Sequence, residues 1–432
     1  MFLQNLASAG SFLVMLTIIS CGFANIATAS NTSTPASKAS MDPLMDLSIE
    51  ELMQIKITSV SRREQKLSGT PSAIFVITQE DIRRSGATSI PEALRMAPGV
   101  EVARVGTDKW SISVRGFNGR FANKLQVLMD GRSVYTPLFS GVIWSQQDTL
   151  MEDIERIEVI RGPGATVWGA NAVNGVINII TKKAIDTQGA MITAGGGSFE
   201  QGFIGMRYGG KINEATPFRI YAKGFSRDNT HSLAGSNLQD NWRSARAGFR
   251  LDHTRGIDQL TLQGDVFINR IGDSLLQPTL ISPFSRLDVV DTTEKGGNIR
   301  FRWDRNFSDQ SSIMLQTYYD RVQNQLTPWA KYAESFDIDF QHRLPILKSH
   351  DVTWGLNYRL YHNKVAETEL TQFNPAQKTN HNFSAFIRDE VTVIPEKLSL
   401  SIGTRLDHND FTGLEIQPSG RLMLTPNEYH SI

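Results

Sequence analysis

The sequence predicts a membrane β fold, in which an N-terminal α+β domain is followed by an antiparallel transmembrane β-barrel. Three observations predict it. From about residue 188 onward, apolar and polar residues alternate with a period of two. The connections between these alternating segments are themselves alternately short and long. The chain also opens on an export-type leader. Composition is consistent with this. The 44 Lys+Arg balance 44 Asp+Glu, which argues against a nucleic-acid partner. An ordinary 40% hydrophobic content is no obstacle to a membrane barrel, because only every second residue of a strand faces lipid.

Taken in order, "SFLVMLTIISCGFA" (11–24) has the length of a signal-peptide apolar region, and "ATAS" (27–30) offers cleavage after Ala29. Residues 1–29 are therefore expected to be a signal peptide, although the first residues lack Lys or Arg. Cys21, the single cysteine, falls inside it, so the mature chain would hold no disulfide. "IISC" (18–21) also loosely resembles a lipobox, which would instead make Cys21 a lipidated first residue. Residues 30–66 form an N-terminal extension. In it Ser48 and Glu51 make a capping box for a short amphipathic helix, with an extended piece after it.

Residues 67–187 read as the compact α+β domain. Strands are expected at 73–78, 111–117, 124–134, 154–162 and 175–182, and two short helices within 78–100. Thr78 caps the first helix, Gly86 ends it, and Pro91 sits near the start of the second. "MDGR" (129–132) is a tight turn.

Residues 188–432 are expected to be part of the barrel. "DQLTLQGDVFINRI" (258–271) sets Leu260, Leu262, Val266 and Ile268 against Thr261, Gln263, Asp265 and Asn269. "NIRFRWD" (298–304) sets Ile299, Phe301 and Trp303 against Arg300, Arg302 and Asp304. About twelve such strands are expected, near 190–199, 201–212, 218–228, 244–253, 258–271, 296–307, 311–323, 334–346, 350–363, 381–394, 397–409 and 416–427. Short turns (254–257, 308–310, 347–349, 395–396) interleave with mostly longer loops (229–243, 272–295, 324–333, 364–380). A soluble β-sandwich would need inner faces without Arg and Asp opposite them, and would rarely use strands this long. In lipid, a sheet must close to satisfy its edge hydrogen bonds.

The chemistry-bearing patterns are few. "RGPGATVWG" (161–169) lacks the Gly-Lys-Ser/Thr that ends a phosphate-binding loop, and the segment runs on into a strand, "GVINIIT". The eight histidines show no metal-ligand spacing, and neither a Ser-His-Asp set nor a carboxylate pair is visible. No catalytic residue, metal site, cofactor or enzymatic activity is therefore expected.

Several motifs in order carry a family resemblance. They are "VITQEDIRRSGATSIPEALRMAPGV", "SISVRGF", "QVLMDGRSVY" and "IERIEVIRGPGATVWGANAVNGVINIITKK", together about residues 70–183. The stretch resembles the plug of a TonB-dependent outer-membrane receptor, whose plug fills a barrel, so that about 12 of an expected 22 strands would be present here. The resemblance implies that the glycines between 162 and 175 serve turns and close packing. It also implies that Arg115 and Arg161 pair with barrel carboxylates, Glu390 being one candidate. "KITSVS" (56–61), with Ile57, Thr58, Ser59 and Val60, fits the segment that adds as a strand to a TonB-type energy-transducing protein. Outward plug loops near 104–110, 117–121 and 135–147 offer Arg104, Trp110, Arg120, Tyr135, Phe139 and Trp144 to an anionic, partly aromatic metal chelate. The implied function is uptake across the bacterial outer membrane, in contact with its lipid, of an iron–siderophore or, next, cobalamin. The rival reading is a truncated remnant that only binds TonB or ligand.

Overall fold

The computed structural model describes residues 56–57, 65–66 and 72–426, other than 170, 233–234, 326–329, 348 and 367–371. The leader, the Ser48–Glu51 helix and Thr58, Ser59 and Val60 lie outside the described residues. β1 (Lys56–Ile57) and β2 (Gln65–Lys66) form a two-residue ladder in which Ile57 faces Gln65.

β3 (Ile74–Thr78) runs directly into α1 (Gln79–Ser85), and Thr78 makes the switch. Its hydroxyl oxygen accepts the Asp81 N–H at 3.2 Å, while Asp81 Oδ2 accepts the Thr78 N–H at 2.8 Å. Two amides that the helix start leaves orphaned are thereby satisfied. Gly86 ends the helix at φ +68. α2 (Ile90–Ala93) carries Pro91 in its first turn, where no amide hydrogen is needed. Next come the hairpin β4 (Val100–Arg104) and β5 (Trp110–Val114), then β6 (Leu125–Met129) and β7 (Arg132–Ser133) around the Asp130–Gly131 turn. β8 (Tyr135–Thr136) and β9 (Gly141–Val142) form a small ladder of their own. β10 (Ile154–Arg161), α3 (Ala165–Trp168) and β11 (Gly175–Thr181) complete the domain.

Its main sheet has the order β3-β10-β11-β6-β7, with β10 antiparallel to both neighbours and β11 parallel to β6. Central strands buried on both faces account for the near-continuous apolar run "GVINIIT". Ile77, Val127, Ile157, Val159, Ile177 and Ile179 are fully buried in its core, each worth about 1.5–3 kcal/mol of apolar transfer. At Gly175 a Cβ would lie 2.5 Å from the Ile160 carbonyl oxygen, so this glycine of the 162–175 stretch is required by packing.

The rest of the described chain is one twelve-stranded antiparallel sheet in simple sequence order. Its strands are β12 (Gly189–Gly195), β13 (Glu200–Asn213), β14 (Thr216–Arg227), β15 (Trp242–Arg255), β16 (Asp258–Pro278) and β17 (Ser285–Ser308). β18 (Ser311–Asn324), β19 (Lys331–Ile346), β20 (His350–Val365), β21 (Gln377–Ile394), β22 (Leu398–Asn409) and β23 (Gly413–Leu424) follow. All twelve expected strands are present. The difference lies in β16 and β17, which continue through most of the expected 272–295 loop and pair as far as Pro278 and Ser285.

The two faces of this sheet are inverted relative to a water-soluble protein. Ile204, Val266, Ile299, Leu356 and Ile402 point outward and are exposed, whereas Arg219, Arg246, Arg300, Gln316 and Asp337 point inward and are buried. Lipid outside and a polar interior produce this pattern. The N-terminal domain lies against the inward face, tied to it by the contacts described next.

Candidate functional site

The contact between domain and wall is polar, and most of its donors belong to the wall. Lys223 of β14 donates to Asp148 at 2.8 Å and to the Thr149 carbonyl at 2.9 Å. Arg246 of β15 reaches the Gln146 carbonyl at 2.7 Å, and Arg250 the Thr181 carbonyl at 3.2 Å. Arg300 of β17 donates to the Asp130 carbonyl at 2.6 Å, and Gln316 of β18 to the Gly131 carbonyl at 3.0 Å. Arg207 and Arg219 converge on buried Asp153. Other contacts run the opposite way, among them Arg132 to Asp320 at 2.8 Å, Lys109 to Asp273 at 2.5 Å and Ser145 to Glu294 at 3.0 Å.

Asp130 is the hub of this contact. Its carboxylate accepts the Thr181 N–H and hydroxyl, both at 2.9 Å, and the Gln263 amide at 2.8 Å. Burial alone would raise its pKa. Arg300, Arg250 and these hydrogen bonds outweigh burial and hold it below the ordinary carboxylate range.

The other end of the domain meets the long connections. Thr107 donates its N–H to Asp240 of the 228–241 connection at 2.9 Å. The loop 115–124 ("RGFNGRFANK") and the 135–140 segment carry two sets of rings and cations. The Phe121 and Phe139 rings lie 4.8 Å apart, Arg120 sits 5.6 Å over Phe139, and Lys124 sits 5.0 Å over Phe117. Phe117 and Phe121 are 75% and 61% exposed, an unusual placement for phenylalanine that leaves two ring faces open to a ligand.

Residues 66–176 match the family described as TonB-dependent Receptor Plug Domain. The iron-regulated outer membrane virulence protein of Vibrio cholerae serotype O1 (strain ATCC 39315 / El Tor Inaba N16961) is 25% identical over 389 residues, 82% of this chain and 54% of that protein. The siderophore receptor PirA from Acinetobacter baumannii superposes with a TM-score of 0.67 at 19% identity, covering 83% of this chain and 59% of that one. Residues 66–176 are a plug domain of the TonB-dependent receptor type. The vitamin B12 transporter BtuB of Photobacterium profundum is 32% identical over 223 residues, 47% of this chain and 36% of BtuB. The chain thus spans roughly a third to a half of the curated relatives it matches.

The N-terminal domain is the plug, and the twelve-stranded sheet is barrel wall. Among the described residues, neither Arg115 nor Arg161 forms the ion pair expected of it. Arg115 is exposed, and Arg161 donates to the Pro98 carbonyl at 3.3 Å. Neither reaches Glu390, which pairs with Arg388 two residues away on its own strand. At that corner the link is Arg421 of β23, donating to the Pro163 carbonyl at 2.7 Å and the Ser72 hydroxyl at 2.9 Å. The reason is geometric: i and i+2 on a strand share a face, so a wall carboxylate finds its arginine locally and frees other wall cations for plug carbonyls.

Of the six expected ligand residues, the plug brings Arg120 and Phe139 together. Tyr135 is half-buried nearby, and burial raises its hydroxyl pKa. Trp110 is 3% exposed, packs edge-on to Trp242 at 5.8 Å and donates its indole N–H to Glu92 at 3.2 Å. Arg104 is taken up by Glu92 at 2.9 Å and by the Phe199 ring at 4.7 Å. Trp144 is buried in the core. Phe117, Phe121 and Lys124 were missed by sequence reasoning. Their signal was the interleaving of aromatic and basic residues in a Gly/Asn-rich loop.

Proposed function

We propose that this protein imports an anionic metal chelate bearing aromatic groups across the bacterial outer membrane, an iron–siderophore in the first place. The observation that carries the reading is the Phe121–Phe139 ring pair with Arg120 over Phe139, together with exposed Phe117 of the same loop with Lys124 over its ring. Ring faces bury a chelate's apolar surface, and the two cations take up its charge. The siderophore receptors among the similar structures support this class, and the vitamin B12 transporters keep cobalamin as the second cargo.

Outer membranes hold neither ATP nor a sustained ion gradient, so uphill uptake needs work from elsewhere. In this reading a TonB-type protein supplies it by strand addition to Ile57, Thr58, Ser59 and Val60. The leader and the lipid-type outer face of the sheet support an outer-membrane location.

The test is uptake by cells expressing the full-length gene, offered labelled ferric tris-catecholate or cyanocobalamin. Ferric catecholate should accumulate, and deleting 56–61 should abolish accumulation while leaving surface binding intact. Phe139→Ala should weaken binding about five- to tenfold, as expected for loss of one ring contact worth about 1 kcal/mol. Uptake that survives the deletion would sink the energy-coupling role. Accumulation of cyanocobalamin alone would replace the anionic cargo.

A further inference from the structure

We propose that the junction between plug loop 105–109 and the long connection 228–241 is a proton-sensitive clasp, closed while Asp108 carries a proton and loosened when Asp108 is charged. This goes beyond the transport reading and does not depend on which cargo is carried.

The clasp itself is Asp240. Its carboxylate crosses from the connection to accept the Thr107 N–H at 2.9 Å, and it holds its own loop through the Thr230 N–H at 2.6 Å and hydroxyl at 2.7 Å. The Thr107 hydroxyl donates back to the Asp228 carbonyl at 3.3 Å. Thr107 is fully buried by this arrangement. Closing the connection on the plug therefore buries the next residue, Asp108, as well.

Asp108 is 9% exposed, and its Oδ1 has no hydrogen-bond partner among the described residues. The charged groups around it are ill suited to a second anion. Lys109 of its own loop is already committed to Asp273 of β16. Asp273 itself and Glu294 of β17 add repulsion, and Asp240 of the connection lies one residue away through Thr107. Glu294 is held in place by Ser145 at 3.0 Å, Gln146 at 3.2 Å and Asn324 at 2.8 Å, so it does not turn away. A buried carboxylate with one oxygen unpartnered and two other anions beside it is costly when charged and tolerable when protonated.

Burial is the largest cause, Lys109 opposes it, and Glu294 and Asp273 reinforce it, pushing Asp108 up to about 7. In an opened, hydrated loop the same side chain titrates near 3.9. The closed state thus binds the proton more tightly. Closure is at full strength below about pH 4, weakens about tenfold per pH unit as pH rises, and levels off above about pH 7.

Hydrogen exchange at the Thr107 and Thr230 amides reads the clasp directly in the full-length receptor. After correction for intrinsic exchange chemistry, opening in the wild type should rise about fiftyfold between about pH 5 and 7 and plateau by about pH 8. Asp108→Asn, close in shape and unable to charge, should stay closed and flat over the same range. A flat wild-type profile overturns the proposal even if the variant fails to fold. So does an Asp108→Asn profile with the wild-type slope, which would assign the proton to another group.

Discussion

Two aspartates of the plug, Asp130 and Asp108, show how much depends on partners that the sequence does not display. Asp130 stands in a recognisable turn, and a turn is all that "MDGR" announces. Its function as a hub needs Gln263 and Arg300, 133 and 170 residues further along the chain. Asp108, in an equally unremarkable loop, has no hydrogen-bond partner on Oδ1 among the described residues. Asp130→Ala would leave the Thr181 amide and the Gln263 amide without their acceptor. Urea unfolding of the plug at neutral pH should show a loss of about 2–4 kcal/mol. The pH dependence should run opposite to that of Asp108. Because the folded-state pKa of Asp130 is lowered, its contribution is present above about pH 4 and is lost as pH falls through the lowered value. The difference between wild type and variant should therefore be constant from neutral pH down to about 4 and shrink below it.

Single elements were the most legible scale. The Thr78 cap, the Gly86 stop and the Pro91 start stand where local chemistry puts them, because each acts within one helical turn. Thr78→Ala should cost the plug about 1 kcal/mol in the same unfolding experiment, and Thr78→Ser should restore most of it. The twelve wall strands were legible for a similar reason: alternation is a property of neighbours in sequence. The reading failed where local signals and pairing disagreed. Gly272, Pro278 and Pro283 mark 272–295 as a loop. Cross-strand pairs such as Leu276 with Leu287 and Ser274 with Val289 nevertheless carry the ladder seven residues beyond Ile271. β4 was passed over because its five residues follow two helices without a turn signal strong enough to separate them.

At the scale of the whole molecule, the governing fact is the reversal of inside and outside in the wall. A charge on the outer face should be as damaging as one in an ordinary core. Ile299→Lys, at a side chain 48% exposed, should reduce the folding stability of the full-length barrel in lipid vesicles by about 2–4 kcal/mol if that position lies near the bilayer midplane. A change below about 0.5 kcal/mol would mean the outer face of β17 does not meet lipid at that level. The direction of the plug–wall contacts was not legible. Arginines on the inner face can be counted from the sequence, but whether each meets a side chain on its own strand or a group on the plug depends on how the plug is seated.

That seating has an evolutionary consequence. The wall grips the plug largely by peptide oxygens, at Asp130, Gly131, Gln146, Thr149, Thr181 and Pro163. Every amino acid carries the same carbonyl, so at these positions the plug can exchange side chains while keeping its grip. The wall has no such latitude, since each grip needs a long donor of the right reach. Mutational drift is therefore shared unequally. The plug's surface is free to change, while the long donors that hold it must stay as they are.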